Sequence, residues 1–346
     1  MTVHRRGAAL LAAVAVATGA CGTAARGSSA SASSDGARPG AAKATTRGAS
    51  TGPATVSATT PGWQLANPLS RMVVLPDGNG ALAILGGLTA SDTSADGAFR
   101  LDLATGALTT IGTLPSAVHD GAGAVIGGND VVLGGGTSAT VATVEGVPAG
   151  GGSGSVLGQL PQPRSDTTAV TVGATTVVVG GYDGSVADPA VLATTDGTSF
   201  TTVATLPVPV RYAAVAALGS SVYVFGGMAV GGSGSGQPVA TVQRIDLATR
   251  TATIVGSLPE PLEGASAVVL GGRVFVAGGD TVAGTATASS AAVLAFDPSG
   301  TRFTPAGTLP EAVAYAGSTV VGGTAWLVGG EHDGTVVSAV QELRPS

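Results

Sequence analysis

Six times along this chain a short apolar stretch runs into a pair of glycines. The pairs begin at Gly86, Gly134, Gly180, Gly226, Gly278 and Gly329, so the steps between them are 48, 46, 46, 52 and 51 residues. A period of this length marks a repeat architecture, in which no unit buries its apolar face alone and neighbours must stack. Each block has the same internal order. A small-residue stretch such as 213–218 or 265–270 is followed by a glycine turn and then by the apolar stretch that ends in the pair. A third stretch closes on aspartate in four blocks, at Asp102, Asp196, Asp246 and Asp297. A fourth runs into Leu114-Pro115, Leu160-Pro161, Leu206-Pro207, Leu258-Pro259 or Leu309-Pro310, where proline removes a ladder donor and marks a strand exit. The unit is thus a sheet of four short strands.

Six pairs are followed by only five Leu-Pro exits, because the sixth block stops at Ser346 after a third stretch around 336–343. The missing strand is expected at the start, where Trp63-Gln64-Leu65-Ala66-Asn67-Pro68 precedes the first block. If it completes the last sheet, the array closes into a circle and leaves no exposed sheet edges. The second block is the least regular, with Gly150 to Ser155 in place of its outer turn.

The glycine pairs, the Gly180-Gly181-Tyr182-Asp183-Gly184 segment, the strand-ending aspartates and the Leu-Pro exits resemble the kelch family over residues 61–346. The usual strand tryptophan of that family is mostly lost, with Phe200 and Phe303 standing in for it. The resemblance implies an all-β fold, a six-bladed kelch-type β-propeller with four-stranded blades, its last blade closed by the N-terminal strand.

Composition bears on what such a chain could bind. The 346 residues include 56 glycines and only 10% charged residues, which excludes coiled coils and long charged helices. Net charge is −6 and Lys43 is the only lysine, so there is no basic stripe. With aromatic residues at 3% there are few stacking platforms either, and no nucleic-acid partner is expected.

The N-terminus carries export chemistry. His4-Arg5-Arg6 precedes an apolar run over 7–17 and then Thr18-Gly19-Ala20-Cys21. That is the layout of a secretory signal, here over 1–20, and the run is too short to span a bilayer as a mature helix. Cys21 is the only cysteine, so no internal disulfide can form. Its place after three small residues resembles a bacterial lipobox, which implies lipidation at Cys21 and a protein held on the outer face of the cytoplasmic membrane. Plain cleavage nearby is the alternative. Residues 21–60 are rich in Ala, Gly, Ser and Thr and read as a disordered tether. The Gly48-Ala49-Ser50-Thr51-Gly52 match to a hydrolase elbow lacks the flanking strand and helix that give it meaning.

The glycine pair also serves as a ruler. Fifteen residues before each pair, where the interblade connection enters the inner strand, stand Arg71, His119, Ser165, Arg211, Glu263 and Ala314. Arg164 is beside the third, and Tyr212 and Tyr315 follow the fourth and sixth. These positions should ring the axis on the face that carries the long segments 88–97, 228–239 and 280–290, where binding residues concentrate. The candidate ligand-binding residues are therefore Arg71, His119, Arg164, Arg211, Tyr212, Glu263 and Tyr315. Kelch proteins that bind peptides or sugars place arginines in this part of the blade, which is what the resemblance adds. The competing account is that these residues cross-link neighbouring blades. Glu331-His332-Asp333 and Tyr182-Asp183 read as solvated loop tips, and neither a metal nor another cofactor is expected.

The functional expectation is a monomeric, extracytoplasmic, lipid-anchored propeller that binds an unidentified protein or glycan and has no catalytic set. One alternative is a sugar-processing enzyme of the kelch-type mutarotase kind, with Arg71, Arg211 and Glu263 orienting and shuttling protons and His119 as acid or base. Another is a structural spacer of the cell envelope. A copper-radical oxidase of the galactose-oxidase type needs a cysteine cross-linked to tyrosine and two histidine ligands, and is closed because the only cysteine is Cys21 in the signal region.

Overall fold

The structure, a computed structural model, describes residues 54–346 apart from 79, 231–235 and 284–285. The signal, Cys21, the hydrolase-elbow match and most of the tether lie outside the described residues. Every regular element described is a strand. Six antiparallel four-stranded meanders form six blades. Blade one is Val73–Asp77, Ala81–Leu85, Gly97–Asp102 and Leu108–Thr113, and blade two is Ala122–Ile126, Asn129–Leu133, Thr143–Pro148 and Ser155–Gln159. Blade three is Thr168–Val172, Thr175–Val179, Ala190–Thr194 and Thr201–Thr205, and blade four is Ala214–Leu218, Ser221–Phe225, Thr241–Asp246 and Thr251–Ser257. Blade five is Ser266–Leu270, Arg273–Ala277, Ala292–Asp297 and Arg302–Thr308. Blade six takes Gly317–Val321, Thr324–Val328 and Val340–Pro345 from the end of the chain and Val56–Thr59 from its start.

The closing strand is therefore N-terminal, as expected, but it is Val56–Thr59 and not the Trp63 segment. Val56 pairs with Pro345 and Thr59 with Glu342. The first blade strand thus falls inside the segment assigned to the tether. The Trp63 segment is instead the sixth exit. The Leu65 amide donates to Ser338, as the amides of Leu114, Leu160, Leu206, Leu258 and Leu309 donate to equivalent carbonyls in their own blades. Leu65 was hidden because five residues separate it from its strand and no proline follows it directly. Trp63 stacks on Trp326 with ring centroids 6.1 Å apart.

Blade two keeps four strands despite its irregular outer turn. That turn leans on blade one, where Gly152–Ser153 pairs in parallel with Gly112 and Thr113 as a fifth strand. Gly112 and Gly152 permit the approach, since a Cβ on Gly112 would overlap the Gly152 carbonyl. The strand-ending aspartates cap their own turns. Asp102 Oδ1 accepts from the amides of Ala104 and Thr105, and Asp196 Oδ1 accepts from those of Thr198 and Ser199.

The glycine pairs join blade to blade. The amides of Gly87, Gly135, Gly181, Gly227, Gly279 and Gly330 donate to the carbonyls of Val118, Arg164, Val210, Leu262, Val313 and Leu69, each in the connection to the next blade, at 2.8–2.9 Å. The first glycine of each pair has a φ of 58–69°, and a Cβ there would overlap that same carbonyl more closely than any real Cβ contact. Both requirements, a left-handed backbone and an empty Cβ position, select glycine.

The apolar core is divided like the blades. Six clusters of buried residues form, each shared by two neighbours. The cluster that joins blade six to blade one contains Trp326, Val328 and Val340 with Met72, Val74, Leu82 and Ile84, which closes the circle with apolar packing as well as strand pairing. Small residues on the inner strands permit this crowding: a Cβ on Gly317 would strike Val74.

A buried polar staple recurs at three interfaces. The Gln243 amide group donates to the Val208 carbonyl at 2.8 Å and accepts from the Val208 amide at 2.9 Å. Gln341 does the same with Glu311. In blade two the equivalent residue is Glu145, which accepts from Ser116 and has Oε2 buried without a partner. Burial raises its carboxyl to about 7, against the opposing bonds from Ser116. Between pH 4.5 and 7 the folded state then binds more protons than the unfolded one, so stability falls as pH rises through that window. Glu145→Gln should remove the fall and supply the missing donor. The expected gain is on the order of 2 kcal/mol above pH 7 and near zero below pH 4, measured by urea unfolding across pH.

Candidate functional site

The residues that surround the axis share one backbone conformation. Arg71, Asp120, Asp166, Tyr212, Gly264 and Tyr315 all sit at a φ of 54–63° where the interblade connection enters the innermost strand. Their backbones form a closed circuit. Asp120 donates to Arg71, Asp166 to Asp120, Tyr212 to Asp166, Gly264 to Tyr212, Tyr315 to Gly264 and Arg71 to Tyr315, at 2.7–3.0 Å. Five of the six are not glycine, so the circuit holds a conformation that those residues seldom adopt.

The fifteen-residue ruler finds this ring in blade one alone. Three residues separate the first two strands there, and two do so in every other blade. Elsewhere the ruler lands one residue early, on His119, Ser165, Arg211, Glu263 and Ala314. With Ser70 these form an outer circle, each bridged to the residue two positions after the first glycine of its pair. Asp120 and Asp166 were therefore missed, although the extra residue at 78–80 was readable. Of the seven candidates, Arg71, Tyr212 and Tyr315 belong to the axial ring and His119, Arg211 and Glu263 to the outer circle.

Arg164 belongs to neither. Its side chain is 1% exposed and ion-paired with Asp188, and it donates to the carbonyls of Gly180 and Ala190. It holds blade three together and is withdrawn as a ligand residue. Glu331 is corrected in the opposite sense. It is no solvated loop tip but a buried anion that accepts from Ser70 Oγ at 3.0 Å and from Arg71.

The polar side chains converge on Arg71. Its Nε donates to Glu331 Oε1 at 2.6 Å, its Nη2 to Glu331 Oε2 at 3.3 Å, and its Nη1 to Asp120 Oδ2 at 3.3 Å and to the Tyr212 hydroxyl at 2.7 Å. Blade one thereby reaches blade four across the axis. The guanidinium also lies 4.4 Å from the Tyr315 ring centroid and 5.3 Å from that of Tyr212. Burial opposes its charge, but Asp120 and Glu331 outweigh burial and hold it charged. Arg211 pairs with Asp166 at 3.1 Å and lies over the rings of Tyr182 and Tyr212.

Titration follows burial. Asp166 is raised to about 6 by burial and by Asp120, against Arg211. Glu263 is raised to about 7 by burial and by Asp280. Burial lowers His119, with Arg71 adding to the effect, so its ring is neutral at pH 7; its Nδ1 meets Ser94 Oγ at 2.9 Å. Burial raises Tyr212 and Tyr315 and keeps their phenols protonated. Among the described residues no group of three His, Cys, Asp or Glu side chains could hold a metal ion.

The axial ring floors a cavity. About 650 Å³ of space runs along the axis, lined by the innermost strands of all six blades and at one end by Arg71, Asp120, Asp166, Tyr212 and Tyr315. The two ends differ in exposure: Asp166 is buried and the other four floor residues are half-buried, whereas Pro76, Val125 and Thr171 are exposed at the other end. The more exposed end thus lies on the face of the short first turns, opposite the long loops where the sequence pattern placed the site. The volume is that of a small-ligand pocket, with weakly polar walls and a few convergent polar groups at the base.

A family model described as the KLHDC2/KLHL20/DRC7 Kelch-repeats domain matches residues 166–346. Among solved structures, one titled "Structure of YjhT" superposes with a TM-score of 0.68 at 16% sequence identity, covering 81% of this chain and 95% of that one. No curated protein matches the sequence.

The Tyr212 hydroxyl stands between Arg71 and Asp120, at 2.7 and 3.3 Å. Tyr212→Phe should leave the backbone circuit intact and cost about 1–3 kcal/mol, because buried charged partners lose a hydrogen bond. Chemical denaturation checks the cost, and unchanged far-UV circular dichroism checks the fold.

Proposed function

The chain belongs to the kelch-repeat family, and from that premise we propose that it is a binding module displayed outside the cytoplasm, taking a protein or glycan partner through the axial cavity. One observation carries the reading: five polar side chains from five different blades meet on the floor of a single open cavity of about 650 Å³. Their role is recognition. Arg71 is held in place on every side, by Glu331, Asp120 and Tyr212, so it sets the shape of the floor. Asp166, with its carboxyl near 6, presents an acceptor or a donor according to pH.

The location rests on sequence. His4-Arg5-Arg6, the apolar run over 7–17 and the lone Cys21 support export followed by a lipid anchor. Propellers need no catalytic set to bind, and a rigid closed scaffold limits the ordering cost of association.

Two experiments test the two halves. Val125 and Thr171 line the exposed end of the cavity, so Val125→Trp and Thr171→Trp should obstruct it without touching a core. Each should abolish capture of partners found by glycan arrays and cell-surface pull-downs with the wild-type propeller, while Ile254→Asp, an exposed position on an outer strand, should not. Binding that survives both tryptophans overturns the cavity as the site. For the anchor, a bacterial cell expressing the wild-type chain should carry acyl-modified Cys21 by mass spectrometry in the membrane fraction. Cys21→Ser should release the protein from that fraction, and retention would refute the anchor.

A further inference from the structure

On the loop-rich face, blade five differs from every other blade. Glu263 of the outer circle and Asp280 form a reciprocal backbone pair, with Glu263 N to Asp280 O at 3.0 Å and Asp280 N to Glu263 O at 2.7 Å. Residues directly opposite in an antiparallel bridge project to the same side, so the two carboxylates are neighbours. In the other blades this bridge joins Ser70 to Leu88, His119 to Gly136, Ser165 to Tyr182, Arg211 to Met228 and Ala314 to Glu331. None of those pairs two acids.

The arginines of the site each hold another carboxylate, although Arg211 Nε is left buried without a partner. Arg71 pairs with Glu331 and Asp120, and Arg211 with Asp166. No ion pair reaches Glu263 or Asp280 among the described residues, although the two are only 5% and 4% exposed. Asp280 Oδ1 accepts from Ser289 Oγ at 2.8 Å, and Glu263 accepts from the Tyr315 hydroxyl. Glu263 Oε2 remains buried with no partner at all. A buried anion left in that condition costs several kcal/mol unless it takes up a proton or a cation. The charged groups that act on the pair are Arg211 and Arg71 on Glu263, and Glu331, Asp333 and Arg71 on Asp280.

We infer that Glu263 and Asp280 form a second recognition site, which takes the ammonium group of a lysine side chain from a protein partner. Three features select that group. The site offers two carboxylates and an unpartnered acceptor, which suit a cation with several N–H donors. Among the described residues no group of three acidic or histidine side chains could hold a metal ion, so the set is too small for a divalent metal. Both acceptors are buried, so a ligand reaches them only past neighbouring side chains, which favours an ammonium on a slender four-carbon stem over one attached directly to a sugar ring. Glu263 and Asp280 do not line the axial cavity, so the site is separate from the one proposed above.

The test is isothermal titration of the propeller, with its full N-terminal sequence, using Nα-acetyl-lysine methylamide at fixed ionic strength and pH 8. Saturable binding is expected. Glu263→Gln and Asp280→Asn should each weaken it by roughly tenfold or more, as removal of one member of a desolvated charge pair does. Both substitutions are isosteric and relieve buried charge, and circular dichroism verifies that the variants fold. The norleucine analogue, which lacks the ammonium, should not bind. Val125→Trp should leave lysine binding unchanged even where it abolishes partner capture, so the two readings fail separately. Equal binding of the norleucine compound, unchanged affinity in Glu263→Gln, or stronger binding of glucosamine or calcium than of the lysine compound would each overturn the assignment.

Discussion

One hydrogen bond, repeated six times, makes this molecule a circle. The amide of the second glycine in each pair meets the carbonyl of the connection that leads into the next blade, and the first glycine leaves the space that carbonyl needs. Everything inward of it depends on that contact. It fixes where each connection turns toward the axis, and hence where the left-handed residues of the axial circuit fall. Those residues then exchange their own amides and carbonyls around the axis and bring five side chains to one floor. The apolar clusters between blades supply most of the burial, but they are greasy and non-directional. The glycine contact supplies the angle.

The electrostatics of the centre follow from crowding polar groups where solvent is scarce. Two arginines, two tyrosines and three acidic side chains occupy the axial ring and the circle around it, and Tyr182, Asp280 and Glu331 are bridged to that circle. Each arginine lies between carboxylates and aromatic faces, so its charge is spent inside the protein. What remains open to a ligand is mainly acceptor capacity on the acidic groups, some of which hold protons near neutrality. Buried charge of this kind is costly to assemble, and its partners must be present together for any of them to be tolerated.

The repeat itself was fully legible, because its period lies in glycines that cannot be substituted. The closing blade was legible in kind but not in place. Val56–Thr59 is four residues of ordinary composition, visible as a strand only through its pairing with Val340–Pro345. The closing strand was expected instead in the tryptophan segment, which directly precedes the first block. In the site, Arg71 falls on the fifteen-residue count only because the first turn of blade one carries an extra residue, and Asp120 and Asp166 lie one residue beyond that count. The role of Glu331 was invisible, since nothing in Glu331-His332-Asp333 shows that the first member turns inward to Arg71 and the other two stay outside. Partnership across 260 positions is a property of the closed circle and not of any local motif.

The strand that completes blade six also has a mechanical meaning. Val56 through Thr59 form four ladder pairs with the last strand of the chain, and these are the outermost strand contacts of that blade. Any pull that arrives through the residues before Val56 is taken first by those four pairs. Their release would strip the edge of blade six and leave Val340–Pro345 as the new border of the sheet. The circuit of amides at the axis and the five other blades lie behind that seam. The propeller therefore meets such a pull at the seam of blade six, with the groups at the axis behind it.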